Sequence, residues 1–277
     1  GNLWSGSLSS EYQRELSSFL ELDEYVLDIE TTRVQGFNAS YHFHPSWWLT
    51  AALSDRKLEQ QQRPDLERTI TSNSVEVLYR SGANTRIGVR ARSTTVDYLN
   101  SQLVGGTPTN NDYDQTGYSG VLYWEATGKS SLNASLGRDK QRYDELTDRD
   151  NQNRVWRVDY ENRITGKSTL NLSSWQEHAS RSELTNSYFT RGMRIDGDWD
   201  VTAKVTVTGG FTRENISYEG LSREDDTDWM SLSGRYNLTR NFGITFGYVK
   251  ENRDSTIQSS DYQDTQWTLG INVLLKK

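Results

Sequence analysis

No cysteine occurs in the 277 residues, which excludes disulfides, thiolate metal sites and a cysteine nucleophile. Proline occurs three times, too rarely for a proline-rich linker. Histidine also occurs three times, at His42, His44 and His178, and neither H-E-x-x-H nor G-x-S-x-G is present. With no Ser–His pairing legible in the pattern, we expect no enzyme and read the three histidines as structural or exposed. No stretch approaches the ~20 apolar residues of a membrane helix. Helical spans are thereby excluded, but barrel strands are not, because their signal is far weaker. The net charge of −7 gives no support to nucleic-acid binding. The acidic stretches DELTDRD and SREDDTD lack the spacing of a calcium loop and read as solvated connections, so no metal and no cofactor is expected.

Against these absences stand 9 Trp and 15 Tyr in a chain only 33% hydrophobic. Disordered chains are poor in aromatics, so polarity here does not mean disorder. A protein that buries every second strand residue and has an aromatic-rich boundary fits these figures. The opening GNLWSGSL is already strand-like, as expected of a chain whose leader has been removed or whose N-terminus has been trimmed.

The tetrapeptide TGKS occurs twice, at Thr127–Ser130 and Thr165–Ser168. A phosphate-binding loop would need a glycine five residues before the lysine-preceding glycine, and Tyr123 and Glu161 stand there. Neither copy opens a helix. In SSLNASL, Leu132, Ala134 and Leu136 fall on one face and Asn133 and Ser135 on the other, which is strand periodicity. TGKS is therefore read as a tight turn between strands, with glycine expected to supply a positive φ.

Such turns recur along the chain. Short ones lie at HPSWW, SGANT, both TGKS copies, WDVTAK and TRNFG; longer polar connections include LNSQLVGGTPTNNDYD, DELTDRDNQN and EGLSREDDTD. Turn centres are about 35 to 45 residues apart and strands roughly 12 to 16 residues long, against the four short strands of a propeller blade. One face carries Phe37, Ala39, Tyr41 and Phe43, then Trp47, Leu49, Ala51 and Leu53, and later Ile87, Val89 and Ala91. It continues through Leu122 and Trp124, Met193 and Ile195, Val205, Val207 and Phe211, Met230, Leu232 and Tyr236. It closes on Ile244, Phe246 and Tyr248, then Trp267, Leu269, Ile271, Val273 and Leu275.

The opposite face reads polar, with Gln35, Asn38, Ser40 and His42 in the second strand. A soluble sandwich also alternates. Two features favour a membrane barrel instead. The apolar stretch of each strand adjoins the short turn, and both faces turn polar toward the long loop. The aromatics Trp47, Trp124, Trp199 and Phe242 cluster beside short turns, as a membrane girdle would. Arg138 shares the apolar register but lies far enough from its turn to reach the outer interface.

The expected fold is thus all-β, an antiparallel up-and-down transmembrane barrel of about 14 strands, one domain over residues 1–277, in the bacterial outer membrane. Such a barrel has a backbone diameter of roughly 28 Å and a lumen on the order of 15 Å, open or narrowed by loops. Its polar lining would include Glu76, Arg80, Arg86, Arg90, Arg92, Tyr123, Glu125, Arg157, Asp159, Glu161, Trp175, Arg194, Asp196, Asp198 and Arg235. Tyr123 and Trp175 are candidate stacking platforms for sugar rings. The four arginines at 80, 86, 90 and 92 form the densest positive patch, fit either to guide an acidic substrate or to pair with Glu76 and neighbouring acids.

The hairpin units TGKSSLNASLGRDKQRYDELTDRD, TGKSTLNLSSWQEHAS, VTAKVTVTGGFTRENISYEG, RYNLTRNFGITFGYVKENRDS and DYQDTQWTLGINVLL resemble the EpsL-type outer-membrane β-barrels of exopolysaccharide operons. The likeness is clearest from about residue 80 onward. The family tends to carry further N-terminal strands, which would make sixteen. Barrels of this kind also end in an aromatic where this chain has Val273 and Leu275. The resemblance implies a conduit that exports an exopolysaccharide together with inner-membrane and periplasmic machinery, surrounded by outer-membrane lipid and lipopolysaccharide. It transfers no catalytic residue. A general porin for small solutes, and a non-conducting structural or adhesion barrel binding polysaccharide through its loops, are the alternatives.

Overall fold

A computed structural model describes residues 3–16, 28–81, 85–104, 106–179, 188–218 and 220–273. Leu275 and the centre of the SGANT turn lie outside the described residues. Long strands follow one another: β1 (Trp4–Leu16), β2 (Ile29–His44), β3 (Trp47–Gln60), β4 (Arg68–Arg80) and β5 (Arg86–Tyr98). A small hairpin, β6 (Gln102–Val104) with β7 (Thr107–Thr109), interrupts the connection to β8 (Tyr113–Thr127). Then come β9 (Ser130–Tyr143), β10 (Asn151–Thr165), β11 (Ser168–Ala179), β12 (Tyr188–Thr202) and β13 (Val205–Tyr218). The series ends with β14 (Glu224–Asn237), β15 (Phe242–Ser255) and β16 (Tyr262–Val273). Fourteen strands form one sheet in chain order, β6 and β7 apart, with antiparallel neighbours. This is the up-and-down topology expected.

The chain divides into two compact units. The first holds residues 1–123, 135–156 and 178–188; the second holds 124–134, 157–177 and 189–277.

In the first unit the register places Trp4 opposite Tyr41, Leu8 opposite Phe37, and Phe37 opposite Leu53. Leu49 faces Val77, Ala51 faces Val75, Val77 faces Val89, and Ile87 faces Leu122. Residues paired across strands share a face, so these side chains form one apolar band. The band is exposed: Leu8 is 84% accessible and Val89 64%. In the second unit the same band runs Val205, Val207 and Phe211 on β13, then Tyr236, Leu232 and Met230 on β14. Ile244, Phe246 and Tyr248 on β15 and Ile271, Leu269 and Trp267 on β16 complete it. It stops where Arg213 meets Asp228 and Lys250 meets Thr265. A soluble sheet would bury such a surface; a lipid-facing one leaves it bare. Gln35, assigned to the polar side from the sequence, pairs with Asp55 and takes the same face as Phe37. Its odd number in a strand of odd-numbered outward residues decides this.

The short turns are built differently from the expectation. Neither Gly128 nor Gly166 has a positive φ; among the described glycines only Gly106 and Gly220 do, in longer connections. Instead, the hydroxyl of Thr127 accepts a hydrogen bond from the Lys129 N–H at 3.1 Å. Thr165 does the same for Lys167, and Thr202 for Lys204, each at 3.1 Å. The lysine carbonyls then accept from the next hairpin: Arg163, Asp200 and Asn237 donate at 2.8, 2.7 and 2.8 Å. A threonine-capped turn needs no glycine, and Ala203 occupies the middle of the third copy.

The structure also corrects the expectation that strands become polar on both faces toward the long loops. There the polar face closes up. Leu58, Val96, Tyr98, Tyr113, Tyr143 and Leu146 are buried in the first unit, as are Ile216 and Tyr218 in the second. Val96, Tyr98, Tyr113, Tyr143 and Leu146 pack together, with Tyr113 and Tyr143 centred 5.1 Å apart. The polar face thus becomes buried toward the long loops on these strands, with polar residues such as Gln60, Arg68 and Gln141 buried beside the apolar ones.

Nearer the short turns, Gly88 lies on the polar face opposite Leu78 and Val121, both 4% exposed. A Cβ there would stand 2.0 Å from the Val77 carbonyl oxygen and 2.9 Å from Leu78 Cδ2. Gly88→Val is expected to cost about 1–3 kcal/mol through overpacking against backbone, read as a lowered urea midpoint for the folded barrel.

Candidate functional site

The site is the polar face, taken in each unit separately. In the first unit, alternation brings His42 opposite Trp48, Ser40 opposite Thr50, Thr50 opposite Glu76, Glu76 opposite Arg90 and Arg86 opposite both Arg80 and Tyr123. Glu76 is 9% exposed and charged, so it needs partners. It has them: Arg90 Nε donates to its Oε2 at 2.7 Å and the Tyr123 hydroxyl donates at 3.1 Å. Arg90 Nη2 also donates to the Tyr123 oxygen at 2.5 Å. Arg92 pairs with Asp139, whose carboxylate also accepts from Gln115 Nε2 at 2.8 Å.

The other two arginines are held by rings. Arg80 lies 5.7 Å from the centre of the Trp48 indole. Arg86 lies 5.6 Å from the same ring and 4.9 Å from the Tyr123 ring. His42 stacks on Trp48 at 4.8 Å with 17° between planes. The positive patch therefore splits: Arg90 and Arg92 are paired with acids, whereas Arg80 and Arg86 engage aromatic faces. Tyr123 serves as a hydrogen-bonding hub more than as an open platform.

In the second unit Arg157 bridges Asp159 at 2.9 Å and Glu177 at 3.1 Å, and its guanidinium sits 6.0 Å from the Trp175 ring. Trp175 packs over Gly192, where a Cβ would come within 2.4 Å of the indole, and its Nε1 donates to Glu214 at 3.4 Å. Trp175 is thus on the expected face but covered on part of its surface. Arg163 donates to Glu161 at 3.1 Å, Arg194 to Asp196 at 2.6 Å, and Thr208 to Asp198 at 2.8 Å. Glu125 is exposed beyond Tyr123 on β8, and Arg235 stands exposed between Thr206 and Thr245. Several of these charges form short-range pairs, among them Arg157–Asp159, Arg163–Glu161 and Arg194–Asp196.

The girdle aromatics take the apolar face. Trp47 packs on Tyr79 at 5.2 Å, Trp124 and Trp199 are 43% and 54% exposed, and Phe242 pairs with Val273 beside the last short turn. His44 Nδ1 accepts from the Ser46 N–H at 3.1 Å and closes a turn; His178 meets Asn153 at 3.3 Å.

Sequence reasoning passed over Trp48, Asp139, Gln115, Glu177 and Glu214. For Trp48 a signal existed: it follows outward-facing Trp47, so period-two alternation must turn it inward, beside His42. For Asp139 no local signal existed, because its partner Arg92 is 47 residues away.

Comparison with known proteins fits this geometry. Residues 165–275 match a family model described as "Putative beta-barrel porin 2". No curated protein sequence matches the chain. Among solved structures, the FrpB iron transporter from Neisseria meningitidis superposes with a TM-score of 0.57 at 12% identity, over 97% of this chain and 54% of its own. The copper transporter OprC gives 0.58 at 11% identity, over 88% and 49%. The alcaligin outer-membrane receptor FauA from Bordetella pertussis gives 0.52 at 10%, over 99% and 55%. The fold is that of an outer-membrane β-barrel. The chain spans roughly half the length of these structures, and at such identities they speak for the fold alone. Family model and fold likeness together point to an outer-membrane location.

Proposed function

We propose that this barrel is an outer-membrane channel through which an exopolysaccharide is secreted. The observation that carries the reading is the polar face near the short turns: paired charges such as Glu76–Arg90 and Arg157–Asp159, interleaved with hydroxyls such as Ser40 and Thr50, which bond to one another at 3.0 Å. A wall of this kind exchanges hydrogen bonds with a hydrated polymer without offering one deep, tight site. Opposite it lies the apolar band, so lipid outside and water inside follow from one alternating register. The conduit is passive; synthesis of the polymer elsewhere supplies the driving force, and partners at the short-turn end would deliver it.

The porin family model favours a second reading, a diffusion channel for small solutes. Single-channel recording of the refolded protein in a planar bilayer, with and without the host's purified exopolysaccharide, separates the two. Large steps blocked reversibly by the polymer are expected. Steps indifferent to it would replace export with general diffusion. A folded barrel without conductance would move the assignment to a structural or adhesive role, provided deletion of the long β5–β8 connection also fails to open it.

A further inference from the structure

Among the described residues Arg86 makes no ion pair within 4 Å. It lies over two aromatic rings, Trp48 and Tyr123. Directly across the ladder from it is Arg80, a second cation over the same indole. Like charges at directly opposed strand positions repel. On this face Glu76 is four ladder positions along, beyond the buried Leu78 and Val121, and its carboxylate already takes Arg90 and the Tyr123 hydroxyl, while Glu125, two residues past Tyr123 on β8, is exposed. Rings hold a guanidinium in place without cancelling its charge or filling its donors. Arg86 is therefore oriented, half-buried and still able to donate to an anion.

We propose that Arg86, backed by Trp48 and Tyr123 and flanked by Arg80, is a binding subsite for the carboxylate of an acidic glycan at the short-turn end of the polar face. The proposal rests on the reading of this face as a polysaccharide path and gives the polymer a chemical class, one bearing uronate-type carboxylates. A guanidinium fixed in one plane matches a carboxylate with two parallel hydrogen bonds, which a lysine ammonium cannot reproduce. His42, stacked on the far side of the cluster, and the Ser40–Thr50 pair next along the face supply groups for sugar hydroxyls. Arg86 opens β5, immediately after the short-turn segment, so the subsite lies where a polymer leaving the periplasm would first meet the wall. The position suits selection at entry.

The test is calorimetric titration of the refolded full chain in detergent with hexagalacturonate, maltohexaose and inorganic phosphate. Hexagalacturonate is expected to bind, and maltohexaose at least about tenfold more weakly, because only the former fills the guanidinium fork. Arg86→Lys keeps the charge and is expected to lose about tenfold in hexagalacturonate affinity; Arg86→Gln loses at least as much. Heat-modified gel migration confirms that each variant is folded. Unchanged affinity in Arg86→Lys and Arg86→Gln would overturn the subsite, as would equal binding of maltohexaose or no binding of hexagalacturonate. Displacement by phosphate at equal concentration would replace the glycan with a small inorganic anion. Failure of the channel reading is a separate result, since absence of conductance leaves this titration untouched. A channel blocked by its polymer with no carboxylate preference would sink only the subsite.

Discussion

Leu232→Arg is expected to destabilise the folded barrel by about 2–4 kcal/mol, the cost of a charge at mid-depth on a lipid-facing strand. Leu232 lies within the apolar stretch of β14, opposite Gly209 on β13 and Tyr248 on β15, with Met230 and Tyr236 on the same face. It is 44% exposed, so no core collapses around the substitution, and any large penalty must come from the medium that touches the side chain. The neighbouring Ser233→Arg provides the control. Ser233 points to the other face, between Thr208 and Gly247, and is expected to cost less than about 1 kcal/mol. Urea titration of folding into lipid vesicles reads both. Equal small costs would mean that water, not lipid, bathes the Leu232 face, and the membrane orientation would be lost.

That contrast is also where the sequence was most readable. Period-two alternation is a local property, so Leu232 and Ser233, or Ile244 and Thr245, are separated onto two faces without knowledge of any partner strand. The same rule turns Trp48 inward and Gln35 outward, as the register shows. The short turns were located correctly, but their chemistry was not. Glycine suggested a left-handed residue, whereas the threonine hydroxyls of Thr127, Thr165 and Thr202 do the capping, a pattern visible only when the third copy, with Ala203, is compared with the first two.

Other features were beyond reach from the sequence because they depend on pairing across distant strands. Arg92 meets Asp139 and Trp175 meets Glu214, at separations of 47 and 39 residues. Nor could polarity reveal that the polar face becomes buried near the long loops. Tyr98, Tyr113 and Tyr143 read as amphipathic in isolation, and only their convergence makes a core. At this end charged residues are buried too, among them Asp28, which accepts from Arg63 Nε at 2.9 Å. Composition places such residues in solvent; the register places them under the connections.

The strongest case of this kind is Asp225, where Asp225→Ala is expected to cost about 3–5 kcal/mol, the penalty for stranding buried cationic partners. Its carboxylate is fully buried and accepts from Arg223 Nε at 3.0 Å and Nη2 at 2.7 Å, from the Tyr218 hydroxyl at 2.9 Å and from Ser255 Oγ at 2.6 Å. Arg253, 2% exposed, stands 3.9 Å away and rests on the ring of Tyr262, as Arg223 rests on that of Tyr218. One carboxylate on β14 therefore joins β13 through Tyr218 and β15 through Ser255, and Arg253 of β15 extends the cluster to Tyr262 of β16. The register shows why it can: Asp225 pairs with both Ile216 and Ser255, and Arg253 with both Thr227 and Tyr262. Replacing both members of the pair with apolar residues, Asp225→Leu with Arg223→Leu, is expected to recover part of the loss, since no unpaired charge of that pair then remains buried. Unfolding free energies of the single and double variants in vesicles give the comparison. A single variant as stable as the parent would show that water reaches this cluster and that the long-loop end of the polar face is not sealed. A double variant as damaged as the single would locate the loss in Arg253, the cation left behind.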